Sequence, residues 1–314
     1  MKLLAESADL AELLSAFVRK GGWLAAPLGG IALLYFLQER LVFNPVRTPA
    51  VPQRTRPSHR ARAVSLVMGD GAHLRGWWMR PNRSSAEPGP AVLYFGGRSE
   101  EVSWVSEQLT GLNGMSSLFV NYRGYGSSEG QPSEHKMLAD ALELYDWVCS
   151  QPGVDRRRLS VVGRSLGTGI ATYLSARRAV AATVLITPYD NVVELARLRF
   201  PFCGTQLLLK HRFESVRFAR AAQTPALVLL AESDEIVPRE HAVRLIDAWA
   251  GTKQVATIPG TTHCDVQENP LTWKIIRDFL GQELSRTDGD VWSCKASARL
   301  TRLAAEAQLS STSA

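Results

Sequence analysis

LSVVGRSLGTGIATYLSARRA, residues 159–179, is the stretch that decides the fold of this sequence. A short apolar run, a glycine-flanked turn centred on Ser165 and a helical pattern follow one another without a gap. A serine on so tight a strand-to-helix turn keeps its hydroxyl exposed, and glycines avoid collisions with the adjoining backbone. Because a helix N-terminus also favours developing negative charge, the pattern favours a nucleophilic Ser165 over a structural serine turn.

The sequence on both sides of this stretch alternates short apolar runs with helical patterns. Such alternation is typical of βαβ units, and therefore of a mainly parallel, doubly wound sheet with helices on both faces. Nearer the N-terminus, residues 61–68 and 72–79 are separated by Gly-Asp-Gly-Ala and predict an antiparallel hairpin. The predicted fold class is α/β, and the apolar runs are 91–95, 117–122, 159–163, 183–187, 226–231 and 254–258.

The composition is that of a globular protein with some additional apolar sequence. Of 314 residues, 45% are hydrophobic and 21% charged, and the length suits one large domain, placed at 61–284, with appendages. The net charge of +6 comes from scattered basic residues, apart from the run 156–158, which argues against nucleic-acid binding. The four cysteines show no CxxC pair and no metal-ligand spacing, so no disulfide framework, metal site or cofactor is expected.

Residues 21–38 carry no charge and predict a membrane-spanning helix. At about 1.5 Å per residue this helix is about 27 Å long, close to the thickness of about 30 Å of a bilayer's hydrocarbon core. The alternatives are a buried helix of the globular domain and a helix lying flat on the membrane. Residues 1–43 are therefore predicted to be an amphipathic stretch followed by a single-pass anchor. Its orientation stays open, because basic residues are evenly distributed on its two sides.

Three other segments differ in composition from the alternating core. Residues 44–60 are rich in Pro and Arg and predict an extended linker. Residues 189–222 exceed a usual connection and are rich in Leu, Phe and Arg, which indicates a cap over the site. The tail, 285–314, is small and polar and is expected to be loosely ordered.

A serine hydroxyl is a weak nucleophile at neutral pH and requires a base within hydrogen-bonding reach. If the order is nucleophile, acid and then base, the candidate histidines after Ser165 are His211, His241 and His263. His263 follows the last apolar run in a loop, whereas His241 lies within a helical pattern and His211 in the predicted cap. The sequence therefore favours His263.

A third group must fix the tautomer of the base, and a carboxylate at the end of a strand is the expected choice. Asp234 follows the run 226–231 and is favoured over its neighbours Glu232 and Glu235. Asp190, after the run 183–187, stays an alternative because an acid from that strand reaches the histidine in some hydrolases.

The oxyanion of an acyl-transfer intermediate requires two aimed N–H donors. The backbone of Leu166 is the expected first donor. The second is expected from the Gly-Gly turn after the run 91–95, where Arg98 is preferred and Gly97 is the alternative.

Together these residues resemble the α/β-hydrolase superfamily, and within it the serine-aminopeptidase-like branch of membrane-anchored abhydrolases. The likeness covers about residues 31–282 and includes GRSLGTG, YFLQERLVFNP, YRGYGSSEGQPSE, ESDEIVP and PGTTHCD. It implies the triad Ser165, Asp234 and His263, with hydrolysis of a carboxylic ester, thioester or amide, and a YRGYG segment that shapes the site entrance. Relatives often carry His-Gly-Asn where this chain has Gly96-Gly97-Arg98, and Asp in place of Asn121.

The resulting hypothesis is a serine hydrolase that forms an acyl-enzyme on Ser165 and needs no cofactor or metal. The apolar FPFCGTQLLL at 200–209 and the predicted anchor favour an acylated or lipid-like small molecule, or an acylated protein, as substrate. A non-catalytic membrane scaffold of the same fold and an acyltransferase are the alternatives. The sequence gives no basis for an oligomeric state.

Overall fold

This computed structural model of the protein describes residues 35–48, 61–81, 87–110, 112, 114–201 and 204–285. Within these residues, eight strands form a single sheet in the order β1-β2-β4-β3-β5-β6-β7-β8. The strands are β1 Ala61–Val67, β2 His73–Met79, β3 Gly89–Phe95, β4 Ser116–Val120, β5 Val154–Arg164, β6 Thr183–Ile186, β7 Ala226–Ser233 and β8 Lys253–Thr262.

The sheet has an antiparallel part and a parallel part. Strands β1 and β2 form the predicted hairpin, with Ala61 opposite Met79 and Val67 opposite His73, and β2 also pairs antiparallel with β4. All the pairs from β4 to β8 are parallel. Each apolar run of the sequence coincides with a strand, so the prediction of a mainly parallel α/β sheet is confirmed.

Helices cover both faces of the sheet. They are α1 Val105–Thr110, α2 Glu134–Cys149, α3 Leu166–Ser175, α4 Val192–Arg199, α5 Thr205–Leu208, α6 Ser215–Ala219, α7 Arg239–Ala248 and α8 Pro270–Ser285. One buried cluster contains residues of α2, α3 and α7, and the other contains residues of α1 and α8. Because both faces are covered, the central strands are buried on both sides; every residue of β3, for example, is buried.

The chain changes direction across the sheet between β3 and β5. After β3 it adds β4 on one side, and after β5 it adds β6, β7 and β8 on the other side. Ligands of such sheets bind beyond the carboxyl ends of the strands at this switch point. The turns after β3 and β5 are those predicted to carry the oxyanion donors and the nucleophile.

The N-terminal part of the described chain is attached to the domain. Residues 35–43 are helical, and this 35–43 helix leads into residues 44–48, which pair with Gly126. The amide of Thr48 donates to the Gly126 carbonyl at 3.1 Å, and the Gly126 amide donates to Val46 at 2.7 Å. The first residues of the predicted extended linker, 44–48, are therefore held against the domain by backbone hydrogen bonds.

Several predicted segments lie outside the described residues. These are most of the predicted membrane segment at 21–38, the rest of the predicted linker and the tail after Ser285. Among the residues that are described, no helix has both the length and the apolar character required to cross a bilayer. Within 189–222, residues 202 and 203 are not described, and the remainder contains the short helices α4, α5 and α6.

Candidate active site

Ser165 occupies the sharp turn between β5 and α3. Its φ of 48° and ψ of −116° are unusual for a residue with a side chain and cost about 1–3 kcal/mol, which the surrounding structure must offset. A Cβ on Gly163 would lie 2.5 Å from the Gly167 carbonyl oxygen, and a Cβ on Gly167 would collide with the carbonyl oxygen of Phe95. The turn therefore requires both glycines, as the sequence predicts, because strand and helix approach so closely.

The structure brings the three residues predicted from the sequence together. Ser165 Oγ lies 2.8 Å from His263 Nε2, and His263 Nδ1 lies 2.9 Å from Asp234 Oδ2 and 3.0 Å from Oδ1. Asp234 follows β7 and His263 follows β8, and these adjacent parallel strands end at the same edge of the sheet. All three distances are hydrogen-bonding distances, and the Ser165 to His263 distance allows direct proton transfer.

The loop after β7 fixes the Asp234 carboxylate. Its Oδ1 accepts hydrogen bonds from the amides of Val237 at 2.7 Å and Ile236 at 3.0 Å. A carboxylate beside His263 Nδ1 requires the proton on that nitrogen, which leaves Nε2 as the acceptor for the Ser165 hydroxyl. The side chains of His263 and Asp234 are only 6% and 12% exposed, so their interaction is shielded from water.

The alternative acids are engaged elsewhere. Asp190 is buried and contacts the His241 ring at 2.7 Å and Arg244 Nε at 2.6 Å. Glu232 accepts the Gly260 amide at 2.8 Å, and Glu235 accepts the backbone amide of His263 at 3.2 Å. Glu235 therefore holds the loop of His263 rather than its ring.

The alternative histidines also have other partners. His241 lies within α7 and is paired with Asp190. His211 Nδ1 accepts the amide of Glu134 at 3.3 Å, and its ring packs edge-on against Phe43 at 4.8 Å. Burial lowers the pKa of His211. Neither ring forms a hydrogen bond with Ser165 in the described structure.

Three predicted oxyanion donors lie next to Ser165, and they differ in their partners. The Gly97 amide donates to Glu100 Oε2 at 2.6 Å and is therefore not free to donate to an oxyanion. Within the described chain, the amides of Leu166 and Arg98 form no hydrogen bond. Both residues line the same cavity as Ser165. Leu166 and Arg98 therefore remain as the candidate pair, and Gly97 has a structural role.

A buried carboxylate that sequence reasoning missed supports this turn. Besides the Gly97 amide, Glu100 accepts hydrogen bonds from Tyr94 Oη at 2.7 Å and Arg164 Nη1 at 2.9 Å. Burial, and then the charge of Glu100, raises the pKa of Tyr94 well above its ordinary value, so the phenol stays protonated and donates. Arg164 lies inside the glycine-flanked motif. Because a buried arginine requires a buried acid as its partner, Arg164 was the signal that could have led to Glu100.

Arg164 also connects the nucleophile turn to the loop of the base. Its Nε donates to Gln267 at 3.0 Å, and its Nη2 donates to the backbone carbonyl of His263 at 3.3 Å. The ion pair with Glu100 and these two bonds together join the turns that follow β3, β5 and β8.

An apolar cavity of about 260 Å³ opens beside Ser165. One part of its wall comes from the 35–43 helix, with Tyr35, Gln38, Leu41 and Val42. A second part comes from the segment 189–222, and includes Val192, Leu195, Ala196, Phe200, Leu208 and Leu209. Ile236 and Val237, next to Asp234, complete it. A cavity of this character accommodates a hydrocarbon chain.

Gln38 joins the two parts of this wall. Its side chain is buried, donates to the Leu208 carbonyl at 3.3 Å and accepts the Lys210 amide at 2.7 Å. At the end of the 35–43 helix, Asn44 Nδ2 donates to Ser99 Oγ at 2.7 Å, directly after the candidate oxyanion donor Arg98. Sequence reasoning missed both contacts.

The YRGYG segment supports the same region without contacting Ser165. Tyr122 Oη donates to the Gly96 carbonyl at 2.8 Å, and Tyr125 Oη donates to the carbonyl of Phe43. One tyrosine therefore holds the oxyanion turn and the other holds the end of the 35–43 helix. Asn121, which precedes the segment, accepts the Val102 amide at 3.1 Å.

Several known proteins are similar in sequence. An uncharacterized protein of Mycobacterium tuberculosis is 33% identical over 261 residues, covering 82% of this chain and 91% of that protein. An uncharacterized membrane protein of Saccharomyces cerevisiae is 29% identical, covering 83% and 94%. A lysophosphatidylserine lipase of Danio rerio is 29% identical, covering 78% and 77%. No protein-family model matches the sequence.

Solved structures share the fold. An esterase of Pyrococcus furiosus superposes with a TM-score of 0.61 at 17% identity, covering 76% of this chain and all of that chain. An α/β hydrolase of a Penicillium species has a TM-score of 0.55 at 18% identity, covering 72% and 99%. The sheet, the turn at Ser165 and these similarities define the class, and the chain belongs to the α/β-hydrolase superfamily.

Proposed function

We propose that this protein is a serine hydrolase that cleaves a carboxylic ester, thioester or amide of an acylated or lipid-like molecule. The observation that carries the proposal is the hydrogen-bonded series from Ser165 through His263 to Asp234, at 2.8 Å and 2.9 Å. The fold alone does not imply an activity, whereas this arrangement is the one that nucleophilic acyl transfer requires.

The reaction runs in two halves. In the first, Ser165 Oγ attacks the acyl carbon while His263 Nε2 takes its proton, and Asp234 stabilises the resulting imidazolium. The Leu166 and Arg98 amides donate to the oxyanion, and His263 protonates the leaving group. In the second half, His263 activates a water that releases the acyl group from Ser165.

The cavity supports the choice of substrate. Its wall is predominantly apolar and begins at Ser165, so an acyl chain in the cavity would place its carbonyl carbon next to the hydroxyl. The relative from Danio rerio is named a lipase, which agrees with a lipid ester. We also propose that 189–222 acts as a cap that closes this cavity.

The protein is further proposed to associate with membranes through residues 21–34 of the predicted segment, because residues 35–38 belong to the helix that lines the cavity. The uncharged sequence of this segment and the membrane protein of Saccharomyces cerevisiae among its relatives support the proposal.

Activity-based labelling tests the chemistry directly. A fluorophosphonate probe is expected to label the wild-type protein at Ser165 and to leave Ser165→Ala unlabelled. Equal labelling of the two proteins would show that Ser165 is not the nucleophile. A series of esters of increasing chain length and a peptide amide, with products identified by mass spectrometry, then separates lipid hydrolysis from peptidase and acyltransferase activity.

A further inference from the structure

Most of the exposed apolar side chains in the described part of the chain lie on the segments that line the cavity. Among the described residues, eleven large hydrophobic side chains are exposed, and seven of them lie on the segments that line the cavity. We call these seven the apolar rim: Tyr35, Phe36, Leu37, Leu41, Leu198, Leu207 and Ile236. Single exposed apolar residues are ordinary, but a set on the segments around one cavity indicates an interaction surface.

Two members of the apolar rim project almost completely into solvent. Phe36 on the 35–43 helix is 78% exposed, and Leu207 in α5 is 88% exposed. The Gln38 side chain, which bonds to Leu208 and Lys210, holds these two elements against each other. The outward side chains are therefore presented by a supported surface, while their neighbours Gln38 and Leu208 face the cavity.

The charge of the same segments indicates what this surface contacts. Residues 35–43 and 189–222 contain seven Lys or Arg and four Asp or Glu, and one of the acids, Asp190, is buried and paired within the domain. Exposed cations on these segments include Arg40, Arg199 and Lys210, whereas Arg197 is paired with Glu194 at 3.1 Å. Apolar side chains surrounded by basic ones are suited to a bilayer with anionic lipids.

The sequence that precedes the apolar rim also favours a bilayer as the occupant of this surface. The uncharged run GGWLAAPLGGIALL, residues 21–34, leads directly into Tyr35 at the start of the described helix. An anchor at that position would hold the apolar rim close to the lipid surface.

We propose that the apolar rim docks the domain onto an anionic bilayer, so that the mouth of the cavity opens onto the lipid and the substrate reaches Ser165 without crossing water. The proposal rests on the proposed function only for the lipid-like nature of the substrate. Docking removes apolar surface from water, and the neighbouring cations add attraction to anionic head groups.

Fluorescence tests the position of the surface. The full-length protein, reconstituted in phosphatidylcholine vesicles with or without phosphatidylglycerol, carries a solvatochromic amino acid in place of Leu207 or, as control, of exposed Val67 on β1. The emission of the probe at position 207 is expected to shift to shorter wavelength and to be quenched by doxyl-labelled lipid, more strongly with phosphatidylglycerol. The emission of the probe at position 67 is expected to stay that of a residue in water. Water-like emission at 207 on both vesicles, or equal quenching at both positions, would overturn the proposal.

Rates of hydrolysis test whether docking gives a membrane-embedded substrate access to Ser165. In the Phe36→Ser, Leu207→Ser double variant, the rate on a long-chain ester embedded in vesicles is expected to fall by about tenfold, with the rate on a short soluble ester unchanged. Val67→Ser is the matched control. An unchanged rate on the embedded ester argues against docking, whereas a wild-type protein that fails on the short ester and on fluorophosphonate labelling argues against the proposed function instead.

A second copy of the chain is the competing occupant of this surface. If sedimentation showed wild-type dimers that the double variant loses, with position 207 shielded in the absence of lipid, the apolar rim would be a dimer interface and the proposal would be wrong.

Discussion

The two sides of the cavity are built in different ways. The side formed by the turns after β3, β5, β7 and β8 carries the polar groups beside Ser165, with Ile236 and Val237 as apolar neighbours. Short hydrogen bonds of Glu100, Arg164 and Asp234 fix it. The opposite side, formed by the 35–43 helix and the segment 189–222, is mainly apolar. Under the proposed function, the comparison places the reaction and the choice of substrate on separate parts of the chain, so we expect that each can be changed without the other.

The largest expected effect tests the polar side. Asp234→Asn is expected to lower kcat by about ten-thousandfold, because an amide no longer enforces the proton on His263 Nδ1. Steady-state kinetics on a soluble ester measures it. Asp190→Asn is the matched control: it removes a buried partner of His241 and Arg244, so it should lower the melting temperature while kcat stays near wild type. Similar losses of kcat in both variants would contradict the assignment of the acid.

The second prediction separates a backbone donor from its side chain. Arg98→Pro removes the N–H and is expected to lower kcat by about a hundredfold, the usual effect of losing one oxyanion donor. Arg98→Ala keeps the N–H and should stay close to wild type on an uncharged ester. If Arg98→Ala were as slow as Arg98→Pro, the side chain rather than the amide would be responsible.

The third prediction tests the apolar side. Ala196→Leu adds bulk to the cavity wall and is expected to lower kcat/KM for long-chain esters by about tenfold, because overfilling costs about 1–3 kcal/mol. Short esters should be hydrolysed at the wild-type rate. Ala196→Gly is the control and should retain long-chain activity. A uniform loss over all chain lengths would show that the two sides are not independent.

The smallest expected effect is on the pH dependence of stability, through His211, which packs against Phe43 at the end of the 35–43 helix. Burial, and then Lys210, lowers the pKa of His211 below its ordinary value of 6.5, although Glu39 opposes the shift. The neutral ring therefore stabilises the fold above that ordinary value, and this contribution is lost as the pH falls through the lowered pKa. Urea unfolding between neutral and mildly acidic pH should show a flatter dependence in His211→Gln than in wild type, with exposed His135→Gln as control. Parallel curves for wild type and His211→Gln would contradict this role.

The polar side was largely predictable from the sequence. Ser165, Asp234 and His263 each follow an apolar run directly, and the carboxyl ends of parallel strands meet at one edge of a sheet. Local sequence patterns therefore sufficed to predict that these three side chains lie together, and no contact between distant segments had to be known. Glu100 was missed because nothing in its local pattern marks it as buried; its partner Arg164 lies 64 residues away.

The apolar side was not predictable in the same way. The Pro- and Arg-rich composition after residue 43 is typical of a linker, yet residues 44–48 are held by backbone bonds to Gly126. Gln38 bonds to a carbonyl 170 residues later, and no local periodicity encodes such a contact. Contacts between distant segments depend on tertiary packing, which overrides composition and propensity.

The attachment of residues 35–48 has a practical consequence for work with this protein. A shortened version that starts at Ala61, chosen to avoid the apolar N-terminus, would lack Tyr35, Leu41 and Val42 from the wall of the cavity beside Ser165. It would also lack the Asn44 contact to Ser99. Poor turnover by such a fragment would reflect a missing piece of the pocket, so it would not measure the importance of membrane attachment. A fragment that begins before Tyr35 is the appropriate substitute for the whole chain.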